Sequence, residues 1–119
     1  MAAHNELGKI GEQLAYDYLV QKGYVIKERN WRHQKAEVDI IAIKDDVLAI
    51  VEVKTRSTDF FGDPKSFVNK KKINLLVSAI HKYVCSKGLN VEVRFDIIGI
   101  IRDGKQTRLE HVEDAFYHF

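Results

Sequence analysis

Two short acidic segments carry the residues with the clearest chemical use. The first reads Ala36-Glu37-Val38-Asp39-Ile40-Ile41 and the second Ile50-Val51-Glu52-Val53-Lys54-Thr55-Arg56. In an extended strand, alternate side chains share a face. Glu37 and Asp39 then point one way, as do Glu52, Lys54 and Arg56, while Val38, Ile40, Val51 and Val53 take the opposite face. If the two strands pair, two or three carboxylates meet beside a lysine near the strand ends. Carboxylate oxygens are hard ligands suited to Mg²⁺ or Mn²⁺. Such a metal polarises a phosphoryl oxygen, helps to generate hydroxide and stabilises a leaving oxygen. A lysine at that place can orient or deprotonate the attacking water and offset developing negative charge. The residues leave those lysine roles open. Glu-Val-Lys is also a common tripeptide on solvated sheet faces. Its flanks here are almost wholly apolar, as in a strand covered on both sides, where unpaired charges are costly.

The surrounding pattern supplies elements to position these groups. Leu7, Ile10, Leu14, Tyr18 and Leu19 recur at helical spacing, predicting a helix over Leu7 to Lys22 that stops at Gly23. Gly8, Gly11 and Ala15 form a small-residue seam where another element can approach. Strands follow at Tyr24–Arg32, Glu37–Ile43 and Val47–Lys54, the last two forming an antiparallel hairpin about Asp45-Asp46. Thr55–Val68 reads as an irregular connection. A second helix spans Asn69–Ser86, with Asn69 as N-cap and Ile73, Leu76, Val77, Ile80 and Val84 as its apolar stripe. Strands at Val91–Ile101 and Gln106–Val112 close the chain. The order α-β-β-β-α-β-β predicts an α/β fold with a mixed sheet flanked by helices, rather than a doubly wound parallel one.

Glu12 lies in line with Gly8, Ala15 and Leu19 on the first helix. A glutamate on a packing seam either coordinates or pairs with something, or sits at the seam's edge with its head in water. Both readings remain open from the sequence.

The chain has 119 residues, 45% hydrophobic and 30% charged, which suits a single domain over residues 1–119 and argues against disorder. Cys85 is the one cysteine, so there is no intrachain disulfide and no multi-cysteine metal site. The five histidines show no zinc-ligand spacing. The start of the chain lacks a secretion signal, and no apolar run reaches the ~18 residues of a membrane helix. A cytoplasmic location without membrane contact is the simplest expectation. A net charge of +2 does not by itself imply a nucleic-acid partner.

Asp39, a twelve-residue gap and Glu52-Val53-Lys54 resemble the PD-(D/E)xK nuclease signature. The likeness extends to Gly8 with Gly11-Glu12, Asn30-Trp31-Arg32, Glu37-Val38-Asp39 and Val51-Glu52-Val53-Lys54-Thr55-Arg56. It continues through Phe61-Gly62-Asp63-Pro64, Lys72 and Phe95-Asp96. So many ordered matches identify the chain as resembling the bacterial YraN-like family, which is similar to archaeal Holliday junction resolvases. Ala36 replaces the family's usual glycine and the proline of the PD pair is absent, but neither position supplies a side-chain ligand atom. The resemblance implies a restriction-endonuclease-like three-layer α/β/α fold. It places Asp39, Glu52 and the carbonyl of Val53 around the metal, Lys54 as the catalytic lysine, and Glu12 as a helix-borne acid nearing the same metal through water. It assigns no clear role to Glu37. A branched DNA substrate and a symmetric homodimer are what it implies about partners.

Arg29, Arg32 and Lys35 form a basic stretch around Trp31, joined by Arg56 and Lys72 as candidate phosphate contacts. Trp31 either stacks on an unpaired base or belongs to the core. The sequence therefore favours a metal-dependent endodeoxyribonuclease. A non-catalytic nucleic-acid-binding module and a protein adaptor are the alternatives, and the intact acidic set weighs against the binding module.

Overall fold

The computed structural model describes residues 2–57, 70–104 and 106–115, with side chains described from Glu6 onward. Its elements are α1 (Ala2–Gln21), β1 (Val25–His33), β2 (Ala36–Lys44), β3 (Val47–Arg56), α2 (Lys70–Lys87), β4 (Glu92–Asp103) and β5 (Gln106–Val112). This is the expected order. The first helix begins at Ala2, five residues before the apolar periodicity marks its start. The expected N-cap Asn69 and the Phe61-Gly62-Asp63-Pro64 turn lie outside the described residues.

The sheet order is β1-β2-β3-β4-β5. All neighbours are antiparallel except β3 and β4. Parallel neighbours need a crossover, and α2 lies in the segment between them. Both hairpins on the β1–β3 side turn on two residues, with Gln34 and Asp45 at positive φ of 55° and 54°. That backbone twist matches the twist of the flanking strands.

Strand alternation sends two apolar sets to opposite faces. Ile40, Ala42, Ala49, Val51, Ile98 and Ile100 pack with Ala15 and Leu19 of α1. Val38, Ile41, Leu48 and Ile50 pack with Leu76, Ala79, Ile80 and Tyr83 of α2. The result is an α/β/α sandwich with the sheet in the middle. Val77, expected in the α2 stripe, is exposed, and Tyr83 and Ala79 take the buried positions. Ile10 of α1 is likewise exposed rather than in the core.

The small-residue seam holds at Gly11 and Ala15. A Cβ at Gly11 would collide with the side chain of Thr55, so this glycine lets α1 cross β3 closely. Gly8 has open space around it and takes no part.

One expectation about faces fails at the site. Val38 and Ile40 were placed on one side of the sheet, but Val38 joins the α2 cluster and Ile40 the α1 cluster. Strict alternation breaks at Asp39. The pairing of β2 with β3 ends at Ile40↔Val51. Beyond it, β2 continues against β1 alone through Val38↔Trp31 to Ala36↔His33, while β3 continues against β4 through Arg56↔Ile101. The sheet forks, and Asp39 and Glu52 are the first residues on the two prongs.

Candidate metal centre

The fork leaves backbone groups without ladder partners, and a side chain supplies one. The Val53 N–H donates to Asp39 Oδ2 at 2.7 Å, bridging the prongs where the ladder stops. Glu52 stands beside it, its side chain 14% exposed. Lys72, from the first turn of α2, donates from Nζ to Glu52 Oε1 at 2.9 Å. Lys54 Nζ lies 3.9 Å from the same oxygen. A cavity of about 180 Å³ opens here, walled by Lys35, Glu37, Asp39, Glu52, Lys72 and Leu75 among others.

The electrostatics of Asp39 are those of a poorly compensated acid. Burial pushes its carboxyl up to about 6, partly opposed by the Val53 hydrogen bond. The carboxylates of Glu52 and Glu12 add to the rise, and Lys72 works against it. Glu12 therefore acts on the site from the α1 side, which Gly11 has brought against β3. Three carboxylates thus share one electrostatic neighbourhood.

The predicted site residues separate into two groups. Asp39, Glu52, Lys54 and Lys72 are together at the fork, and Glu12 is within electrostatic reach. Val53 contributes its backbone there. Glu37 lines the cavity but pairs with Arg32 at 3.1 Å, both side chains well exposed. Arg29 is turned towards α1, hydrogen-bonded to Gln13 at 3.3 Å with its guanidinium 4.6 Å from the Tyr16 ring centre. Arg56 donates to the carbonyl of Thr55 at 3.2 Å. Trp31 is half-buried on the α2 side, edge-on to Tyr83.

Asp39, Glu52 and the Val53 carbonyl could hold a hard divalent cation. Among the described residues, no three acidic, histidine or cysteine side chains converge as a ligating group. Glu12 acts on Asp39 electrostatically in this arrangement.

A second cluster surrounds Asp96, which the resemblance matched as Phe95-Asp96 without giving it a role. Asp96 is fully buried, and Arg94 donates to both its oxygens at 2.8 Å. His111 Nε2 lies 2.8 Å from Asp96 Oδ2, and the Asp114 N–H donates to Oδ1 at 3.1 Å. Arg94 also donates to the Tyr24 hydroxyl, and His111 Nδ1 meets the Tyr18 hydroxyl at 3.1 Å. The available signal was an aspartate inside the apolar run Phe95-Asp96-Ile97-Ile98, a position that demands a buried partner.

A family model described as "Uncharacterised protein family UPF0102" matches residues 11–100. The chain belongs to the UPF0102 family. The resemblance to YraN-like proteins anticipated this membership. A UPF0102 protein of Flavobacterium psychrophilum is 56% identical over 119 residues, covering 100% of both chains. One from Bacteroides thetaiotaomicron is 47% identical over 117 residues, covering 98% of this chain and 97% of its own. The span matched by the UPF0102 model runs from Gly11 at the helix crossing past Asp96, so it takes in every residue at the fork. No helix among the described residues is long and apolar enough to cross a membrane.

Proposed function

We propose that this UPF0102 protein is a Mg²⁺- or Mn²⁺-dependent endonuclease of the restriction-endonuclease-like type that hydrolyses phosphodiester bonds in DNA. The observation that carries the reading is the fork itself. It sets Asp39 and Glu52 side by side on parting strands, with Asp39 raised to about 6 by burial and by two further carboxylates. A fold gains no stability from such crowding, so the arrangement suits a cation that enters from outside.

The donor chemistry fits. Asp39 and Glu52 offer carboxylate oxygens, and Val53 adds a main-chain carbonyl on the prong that Asp39 already grips. The bound metal would supply Lewis-acid polarisation of the phosphoryl group and a more acidic water. The chain's own residues do the positioning. Asp39 is held by the Val53 N–H, and Glu52 is held by Lys72. Lys54, 3.9 Å from Glu52, keeps a positive charge beside the acids, where it can orient the attacking water and offset charge on the phosphate. In the reaction a water oxygen bonds to phosphorus, one P–O ester bond breaks, and the leaving oxygen takes up a proton.

The test is cleavage of labelled four-way junction, flap, single-stranded and linear duplex DNA in Mg²⁺ or Mn²⁺. The expected result is metal-dependent cutting by the wild type and at least a hundredfold loss in Asp39→Ala and Lys54→Ala, on the order of the ~3 kcal/mol or more that one electrostatic group contributes to a transition state. Equal cutting by wild type and Asp39→Ala would contradict the assignment. DNA binding with no cutting on any of these substrates would favour a binding module instead.

A further inference from the structure

On the α2 side, an open cleft of about 690 Å³ lies between edge strand β1 and the C-terminal half of α2. Its walls include Glu28, Trp31, His33, Lys82, Tyr83 and Lys87. Trp31 and His33, two residues apart on β1, hold their rings nearly parallel, 8° between planes and 6.0 Å between centres. Tyr83 meets Trp31 edge-on at 5.4 Å. The Tyr83 hydroxyl donates to Glu28 Oε2 at 3.4 Å, which fixes a carboxylate at the wall, and Lys87 Nζ lies 5.2 Å from the Tyr83 ring centre. His33 Nε2 is buried without a hydrogen-bond partner.

These groups define the chemistry of an occupant. The aromatic walls favour a flat ring, since stacking is tolerant of ring identity. Lys82 and Lys87 are exposed at the rim and favour an anion attached to that ring. Glu28 accepts hydrogen bonds and so favours a ring bearing N–H donors. A nucleotide whose base is unpaired meets all three conditions. A paired base has its N–H edge already occupied and its faces stacked.

The cleft is also placed on the path of a strand leading to the fork. Both cavities lie along the same hairpin and the same helix: Lys35 and Glu37 with Lys72 and Leu75 line one, and Trp31 and His33 with Lys82 and Tyr83 line the other. Lys72 and Tyr83 are eleven positions apart on α2, an axial distance of roughly 16 Å at ~1.5 Å per residue. About five nucleotides span that length at the ~3.4 Å rise of one duplex strand, and fewer do when the strand is extended.

We propose that this cleft seats an unpaired nucleobase of the DNA, so that DNA carrying single-stranded nucleotides beside the cut is preferred over continuous duplex. The proposal rests on the nuclease reading for the role of the base, but its test needs no cleavage. Trp31 is the only tryptophan in the chain, so its emission reports on the cleft directly. In metal-free buffer with chelator, the protein is titrated with a short single-stranded oligonucleotide of mixed sequence, with the blunt duplex containing that strand, and with the duplex bearing a single-stranded extension. The single strand and the extended duplex should quench Trp31 saturably, and the blunt duplex should not. Lys82→Glu with Lys87→Glu, both at exposed positions, should weaken the quenching titration about tenfold or more. Trp31→Ala, read by anisotropy of a labelled strand, should lose about fivefold to a hundredfold in single-strand affinity, the range of one base–aromatic stack. Quenching by blunt duplex as strong as by single strand would overturn the proposal, as would single-strand binding that leaves Trp31 emission unchanged or ignores the lysine reversals. A protein that cuts DNA with metal but is never quenched by single strands defeats the cleft alone. One that is quenched as expected yet cuts nothing defeats the nuclease reading and leaves the base site standing.

Discussion

Asp96 and Asp39 sit on strands of one sheet, and the protein handles their charges in opposite ways. Asp96 is fully buried, which alone would push its carboxyl up. Hydrogen bonds from His111, Arg94 and the Asp114 backbone more than offset burial and hold it below the usual carboxylate range. Asp39 lies higher, at about 6, because burial raises it, one backbone donor and Lys72 oppose that only in part, and two acidic neighbours add to the rise. The first arrangement closes the fold: Arg94 reaches on to Tyr24 and Glu113, and His111 ties β5 to Tyr18 of α1. The second leaves electrostatic repulsion unrelieved. A buried acid that is fully partnered reads as structure, and one that is left short of partners reads as a site.

That contrast can be broken most severely at Asp96. Asp96→Ala leaves Arg94 and His111 without their shared acceptor in a buried setting, and about 3–5 kcal/mol of stability should be lost, read from the urea midpoint at neutral pH. A loss below 1 kcal/mol would mean that the network is ornamental. Its acid limb follows from the same sign. Asp96 titrates lower folded than unfolded, so its contribution is present above the ordinary aspartate range and is lost as pH falls below about 4.

Asp39→Asn should act in the opposite direction. The folded carboxyl titrates near 6 against 3.8 for the free side chain, so between those pH values the native state binds more protons. Stability from this group is therefore full below about pH 4 and falls as pH rises towards 6 and beyond. At pH 7.5 in metal-free buffer the Asn variant should be more stable by on the order of 2 kcal/mol, with the gain gone near pH 4. A neutral or lower midpoint at pH 7.5 would contradict the repulsion.

Lys72→Met removes a cation that lowers Asp39 and holds Glu52. Its side chain is 38% exposed, so solvent screening limits the expected loss to below about 1 kcal/mol, while cleavage should fall much further than stability. Glu37→Gln should change stability least, by about 0–1 kcal/mol, because its pair with Arg32 is well exposed.

Much of this was legible in the residues. Apolar periodicity, β-branched runs and turn residues gave the order of the elements, and the acidic residues read on adjacent strands do meet at the fork. The fork was not legible, because strict alternation assumes a ladder that continues, whereas pairing with β3 ends at Ile40↔Val51 and Val38 and Ile40 take different faces. Arg29 could not be placed either. Its position in a basic run says nothing of the Tyr16 ring that draws it towards α1. Asp96 was visible as a charge in an apolar strand, but of its partners only Arg94 is local, and the pairing with His111 and Asp114 of a later segment leaves no local pattern. The cleft needed Tyr83 of α2 against Trp31 of β1, a contact across 52 residues of sequence.

The central claim is that the charge on Asp39 is kept for a metal. The direct measurement is the thermal midpoint of wild type and Asp39→Asn at pH 7.5 across increasing Mn²⁺. The wild type should begin lower, rise with Mn²⁺ as a ligand binds the native state, and close the gap on a variant that responds little. Parallel curves, with both proteins rising equally or neither rising, would show that Asp39 holds no metal.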